Sequence, residues 1–139
     1  MESIESRIIA IEETIGFPLP IEYKKLLLNG IPHYDGEVGA SLNDETWDIA
    51  FFYELSGNDQ FKQLDHAYSL ISDVLPKDVV PIAEDFGGNI YGLVLSGSQI
   101  GQVVWWDHER QLNEYHTDSV AHSLNEFINA IQPISESDA

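Results

Sequence analysis

The chain has 139 residues, of which 43% are hydrophobic and 11% aromatic. This length favours a single domain, which buries roughly two-thirds of the surface that its unfolded chain exposes. The sequence has no cysteine, which excludes disulfide bonds, thiolate catalysis and sulfur-ligated zinc. No apolar run reaches the roughly 20 residues of a membrane span, and the N-terminus lacks a signal-peptide pattern. We therefore expect a soluble, cytoplasmic protein.

The charge balance is strongly acidic. Asp and Glu number 24, Lys and Arg number 6, and the formal net charge is -18. A field of this sign repels phosphate backbones, so we expect no nucleic-acid partner. It also attracts a basic protein. The alternative is that the acidity serves only to keep the protein soluble. Lys and Arg are absent from residues 26–61 and 78–109, and these two blocks indicate a surface of one sign.

Two helices are predicted at the start of the chain. Isoleucines recur at helical spacing over residues 4–15, Ser3 is a candidate N-cap, and Gly16 is placed to end the helix. Pro20 suits the first turn of a second helix that Asn29-Gly30 closes, with an inward face made of Tyr23, Leu26 and Leu27. We interpret this pair as a lid on a sheet, and a partner-binding face is the alternative.

Strands joined by acidic loops are predicted for residues 31–56. Residues 47–55 have a continuous apolar middle, which indicates one strand that is covered on both faces or that meets a partner. Gly57-Asn58-Asp59 predicts a turn, and apolar residues at helical spacing predict a third helix over about residues 60–72.

Residues 79–109 form the central part of the chain. A short apolar run leads into the acidic turn at residues 84–89, and residues 90–95 and 103–106 have the composition of strands. The loop at residues 96–101 contains two glycines and suits a hairpin. We predict an antiparallel hairpin with an acidic loop at its entrance and Asp107-His108-Glu109 at its exit.

The C-terminal part predicts a short strand at residues 111–116 and a last helix. Asp118 or Ser119 is placed to cap this helix and Pro133 to end it, and its apolar stripe consists of Val120, Leu124, Phe127, Ile128 and Ile131. Residues 134–139 form a short acidic tail. The predicted structure is one α+β domain over residues 1–133, with a mostly continuous antiparallel sheet flanked by helices from both ends of the chain.

No catalytic, cofactor or metal site is predicted. Side chains alternate along a strand, so Asp107 and Glu109 point away from His108, and the three do not form a local triad. No histidine shows metal-ligand spacing. Gly87-Gly88-Asn89 lacks the lysine of a phosphate loop, and the oxygens of Asp85 and Asn89 fall short of the about six to eight ligands of calcium. A small metal-dependent or carboxylate-based hydrolase is the least favoured alternative.

Several segments resemble the SUKH superfamily. The central ones are VPIAED at residues 80–85 followed by Gly87-Gly88-Asn89, and GQVV at residues 101–104 followed by Trp106-Asp107-His108-Glu109. Residues 19–20, 23, 29–30 and 123–127 extend the resemblance over nearly the whole chain. This superfamily contains bacterial immunity proteins against polymorphic toxins and relatives of a fungal cell-wall-assembly regulator. The resemblance implies a SUKH-like α+β fold.

The resemblance and the charge together predict an immunity protein that binds and neutralises a cognate toxin, often a nuclease, through its acidic surface. A regulatory protein-interaction scaffold is the alternative. The predicted partner-binding residues are Glu84, Asp85, Trp105, Asp107, Glu109, Asp44, Glu45 and Asp48. Those assigned a structural role in the motif are Pro81, Gly87, Gly88, Asn89, Trp106 and His108. Of the two adjacent tryptophans, Trp106 is assigned to the core and Trp105 to a contact with the partner.

Overall fold

The computed structural model describes residues 3–31, 34, 36–107 and 117–134. Its helices are α1 Ile4–Ile15, α2 Ile21–Asn29, α3 Leu64–Ile71 and α4 Leu124–Asn129, with a short 3-10 helix at Gln60–Lys62. Its strands are β1 Val38–Leu42, β2 Glu45–Ile49, β3 Phe51–Phe52, β4 Val79–Glu84, β5 Ile90–Val94, β6 Val103–Trp106, β7 Thr117–Ala121 and β8 Ile131–Pro133.

The two N-terminal helices form as predicted. Ser3 Oγ accepts a hydrogen bond from the Ser6 N–H at 3.1 Å, and Gly16 adopts a left-handed φ of +89° where α1 ends. In the isoleucine stripe of α1, Ile8, Ile11 and Ile15 are buried, as are Tyr23 and Leu27 of α2. Hydrophobic periodicity together with the capping and terminating residues was enough to place these helices, because each buries one face against the rest of the domain.

The strands form two antiparallel sheets. One has five strands in the order β3-β4-β5-β6-β7, and the other has three in the order β2-β1-β8. The α+β class and the central β5–β6 hairpin are confirmed. The prediction of one mostly continuous sheet was wrong, because the chain leaves the first sheet and enters the second within residues 47–55.

The predicted single strand at residues 47–55 is broken at Ala50. Strand β2 ends at Ile49, and β3 then pairs with β4, with Phe51 opposite Glu84. The Ala50 N–H donates to the Glu84 carbonyl oxygen at 2.8 Å, which fixes the bend. The continuous apolar run therefore serves two sheets in succession, and periodicity does not reveal where one ends and the next begins.

The third helix is shorter than predicted because Gln63 interrupts it. Gln63 has an extended backbone and a buried side chain that donates to the Ser56 carbonyl oxygen at 2.9 Å. Its amide oxygen accepts a 2.9 Å hydrogen bond from Arg7, which also binds the Asp65 carboxylate and the Leu55 carbonyl oxygen. Arg7 thus ties α1 to the segment that precedes α3.

The last helix begins later than predicted. Ser123, rather than Asp118 or Ser119, is the N-cap: its hydroxyl accepts from the Glu126 N–H at 3.0 Å, and the Glu126 carboxylate accepts from the His122 N–H at 2.9 Å. This is the reciprocal pattern of a capping box. The residues assigned to the two ends of the helical stripe lie in strands instead: Val120 in β7 and Ile131 in β8. The strand predicted at residues 111–116 lies outside the described residues.

The core fills the space between the sheets and the helices. The Phe127 ring of α4 lies 6.3 Å from the Phe52 ring and 5.2 Å from the Tyr91 ring, so one side chain contacts β3 and β5. Gly92 in β5 allows a close approach, because a Cβ there would lie 2.3 Å from Val79 Cγ1 on β4. These contacts pack α4 against the five-stranded sheet and bring β4 and β5 close together.

Two buried phenols provide a test of the packing. Tyr23 is fully buried, and its hydroxyl has no hydrogen-bond partner among the described residues. The Tyr91 hydroxyl donates to the Asp48 carbonyl oxygen at 2.6 Å. We expect Tyr23→Phe to leave the free energy of unfolding unchanged or to raise it, and Tyr91→Phe to lower it by about 0.5–1.5 kcal/mol. Urea unfolding measures both, and equal destabilisation by the two variants would contradict this assignment.

Candidate protein-binding site

The acidic loop between β4 and β5 is organised by Asp85. Its Oδ1 accepts hydrogen bonds from the backbone N–H groups of Gly87, at 2.9 Å, and Asn89, at 2.8 Å. Its Oδ2 accepts from Asn89 Nδ2 and from Trp105 Nε1, both at 3.0 Å. The residue is 8% exposed. The Asp85 carboxylate therefore holds the loop together from inside, and its role in the described structure is one of positioning.

Phe86 occupies the outer side of this loop. Its side chain is 57% exposed, while its N–H donates to Asp48 Oδ2 at 2.9 Å. Asp48 lies on β2, and its carbonyl oxygen accepts the hydrogen bond from Tyr91 on β5. Because the loop is attached to the three-stranded sheet at one end and to Trp105 at the other, the Phe86 ring stays presented to solvent.

Glu84 links the end of β4 to β3. Its carboxylate accepts a hydrogen bond from the Tyr53 hydroxyl, and its carbonyl oxygen accepts from the Ala50 N–H. Burial raises the pKa of Tyr53 well above its ordinary value, and the hydrogen bond to Glu84 and the charge of that carboxylate raise it further. Tyr53 therefore remains a neutral donor, and half-buried Glu84 is held in a fixed orientation beside the loop.

Three aromatic rings lie behind the loop. The Trp47 ring lies 6.5 Å from Tyr91, edge-on, and 6.1 Å from Trp105. Trp105 is half-buried, with its indole N–H directed to Asp85. Trp106 is 6% exposed and lies in the core, as predicted. Trp105 thus combines a structural hydrogen bond with a partly exposed ring.

Two other predicted partner-binding residues lie apart from the loop. Asp44 and Glu45 are exposed at the tip of the β1–β2 hairpin, where Asn43 and Asp44 both have positive φ values of 53° and 65°. Two successive left-handed residues are typical of a type I′ turn. Asp48 lies three positions after Glu45 along the same extended strand, a distance of roughly 10 Å.

The remaining predicted residues follow the chain through β4, the loop and β6. Pro81 is buried in β4 opposite Gly92, next to a register shift. Gly87 and Gly88 form the turn that Asp85 organises. Asp107 follows β6 directly and is half-buried, at the end of the sheet that carries the loop. His108 and Glu109 lie outside the described residues.

A cleft of about 340 Å³ beside Phe86 was not predicted. It opens where the chain passes from one sheet to the other, and the residues that line it include Tyr34, Glu37, Phe51, Glu54, Lys62 and Phe86. These residues come from the segment that precedes β1, from β3 and the residues just after it, from the 3-10 helix and from the acidic loop. The sequence signal that could have indicated the cleft is the mixture of aromatic and acidic residues within residues 26–61, a block without Lys or Arg. This signal was not sufficient, because the cleft forms only where the chain passes from β2 to β3 at Ala50.

Within the ranges that the structure describes, no group of three or more His, Asp or Glu side chains is placed to hold a metal ion. No helix among those residues has the length and apolar character needed to cross a bilayer.

The structure is an α+β domain, the fold class that the SUKH resemblance implied, and it carries the acidic loop between β4 and β5. The sequence profile of the SMI1 / KNR4 family (SUKH-1) matches residues 5–130, and the chain belongs to this family. It is also 32% identical over 85 residues to the SPbeta prophage-derived uncharacterized protein YokK of Bacillus subtilis strain 168. That similarity covers 61% of this chain and 42% of YokK, so the chain matches less than half of that relative. No solved structure matches the chain significantly.

The positioning role of Asp85 can be measured. We expect Asp85→Asn to lower the free energy of unfolding by about 2–3 kcal/mol, because an amide nitrogen would face the donors of Asn89 and Trp105 in place of a charged acceptor. Asp44→Asn is the matched control: it also removes one charge, in an exposed turn that accepts Asn, and we expect a change below about 0.5 kcal/mol. Urea unfolding followed by tryptophan fluorescence would contradict the assignment if both variants behaved alike.

Proposed function

We propose that this chain is an immunity protein that binds and neutralises a toxin with a basic surface, of the nuclease type. Membership of the SMI1 / KNR4 (SUKH-1) family supports this class of function. The formal net charge of -18 supports a basic partner. An acidic protein blocks a nuclease by occupying the positive groove that holds nucleic acid, or by binding beside it. We place this role in the cytoplasm of the cell that makes both proteins.

The observation that carries the proposal is the exposed Phe86 ring on a loop held by internal hydrogen bonds. Interface energy is concentrated in a few large side chains surrounded by groups that exclude water. Here the Asp48 carboxylate accepts from the Phe86 N–H, and Glu84, two residues before Phe86, is held by its hydrogen bond from Tyr53. Because the loop is already ordered, binding a partner through it costs little conformational entropy.

The acidic residues have different roles in this proposal. Asp85 positions the loop from inside, so its contribution to binding is indirect. Exposed Asp44 and Glu45 attract the partner over a distance and govern the rate of association. Trp105 and Asp107 border the loop on the β6 side, and we keep them in the proposed contact, together with Glu109 and Asp48.

The first experiment tests the function itself. We expect the product of the gene immediately upstream to stop growth when expressed alone, and this chain to restore growth and co-purify with that product when both are expressed. A neighbour that is harmless, or one whose toxicity this chain leaves unchanged, contradicts the immunity role. Stable co-purification with a harmless neighbour would instead favour the regulatory scaffold.

The second experiment tests the acidic surface. We expect Asp44→Lys combined with Glu45→Lys to slow association with the toxin at least about fivefold, since the attraction becomes repulsion at the hairpin tip. Glu5→Lys combined with Glu13→Lys, on the exposed face of α1, changes the net charge equally and serves as control. The rate for the unmodified chain should fall about tenfold between low and moderate salt. Equal effects of both pairs, or a rate indifferent to salt, would argue against steering by this surface.

A further inference from the structure

The cleft beside Phe86 is lined by both acidic and aromatic residues. Glu37 is exposed and Glu54 half-buried, and both border the cleft together with the Phe51 and Phe86 rings. Within the described part of the chain, neither carboxylate forms an ion pair. Carboxylates beside aromatic faces are the groups that hold an organic cation, through ion pairing and through the negative faces of the rings.

Lys62 is the one basic residue that borders this cleft among the described residues. Its Nζ lies 5.7 Å from the centroid of the Phe51 ring, within the range of a cation–π contact. The Glu54 N–H donates to the Lys62 carbonyl oxygen at 2.8 Å, so the backbone holds the lysine beside the cleft wall. The free chain thus already places a cation of its own against the ring.

The cleft is large enough to admit one long side chain. Its volume of about 340 Å³ lies at the lower end of the ~300–1,000 Å³ range of small-ligand pockets. Phe51 is half-buried and packs edge-on against Tyr53 at 5.4 Å, so the ring that faces the cleft is held in place. On the other side, the hydrogen bond to Asp48 holds the backbone of Phe86.

We infer that this cleft receives one arginine side chain of the protein partner, and that Lys62 occupies the same cation position in the free chain. A planar guanidinium stacks on a ring while its edge binds a carboxylate, which a lysine ammonium does less well. The arriving arginine displaces the Lys62 ammonium from Phe51, and the positive charge of Lys62 opposes its entry. This inference rests on the proposed function only in identifying the partner as a basic toxin.

The test uses N-acetyl-arginine amide as the probe, with the neutral N-acetyl-citrulline amide as its isosteric control. Backbone amide NMR shifts of the full chain report where each probe binds. We expect the arginine probe to shift the amides of Ala50, Phe51, Glu54 and Phe86, and to bind about tenfold more tightly than the citrulline probe.

Two surface variants refine the result. We expect Lys62→Met, which keeps most of the side-chain length and removes its charge, to raise the association constant of the arginine probe about threefold, and Glu54→Gln to lower it by a similar factor. Equal binding of arginine and citrulline, shifts located at the Asp44–Glu45 hairpin instead, or an unchanged constant in Lys62→Met would each overturn the inference.

The outcomes separate this inference from the proposed function. If the chain rescues cells from the toxin but the cleft ignores the arginine probe, the cleft assignment fails and the immunity role stands. If the probe binds in the cleft but no toxin is neutralised, the cleft is a cation site for another basic protein and the immunity role fails.

Discussion

The passage of the chain from one sheet to the other at Ala50 is the constraint on which the rest of the structure depends. The Ala50 N–H donates to the Glu84 carbonyl oxygen, and the Phe86 N–H donates to the Asp48 carboxylate. These two hydrogen bonds join the end of β2 to the end of β4. This junction fixes the orientation of the acidic loop. It also creates the cleft, because the residues that line the cleft come from both sheets.

Buried phenols strengthen the junction from within. Burial raises the pKa of Tyr91 far above its ordinary value, and the charges of Asp48 and Asp85 raise it further, as burial and Glu84 do for Tyr53. A phenol whose folded-state pKa is raised stabilises the fold fully below its unfolded pKa of about 10, and this contribution is lost only as pH rises beyond that value. The Glu84 carboxylate and the Asp48 carbonyl oxygen therefore keep neutral phenol donors over the physiological pH range.

Local patterns predicted much of the fold but not the junction. The isoleucine stripe of α1, the Gly16 terminus and the β5–β6 hairpin depend on near neighbours in sequence, so their signals are present in short windows. The break at Ala50 depends on β4, which is more than 25 residues away in the sequence. The burial of Asp85 has a related cause: Trp105, 20 positions later in the sequence, donates to the Asp85 carboxylate and makes it a buried acceptor. Ser123 and Glu126 carried a capping signal that the longer apolar stripe obscured.

Strand β8 has a consequence for how the chain is made. It is synthesised after every other element described, yet it borders β1, with Val38 opposite Pro133, and Ile134 reaches the Glu37 carbonyl oxygen. While the ribosome is still translating, β1 therefore has an open edge capable of pairing with another polypeptide. The wall of the cleft that contains Glu37 therefore gains its outer support only after β8 and Ile134 have been translated.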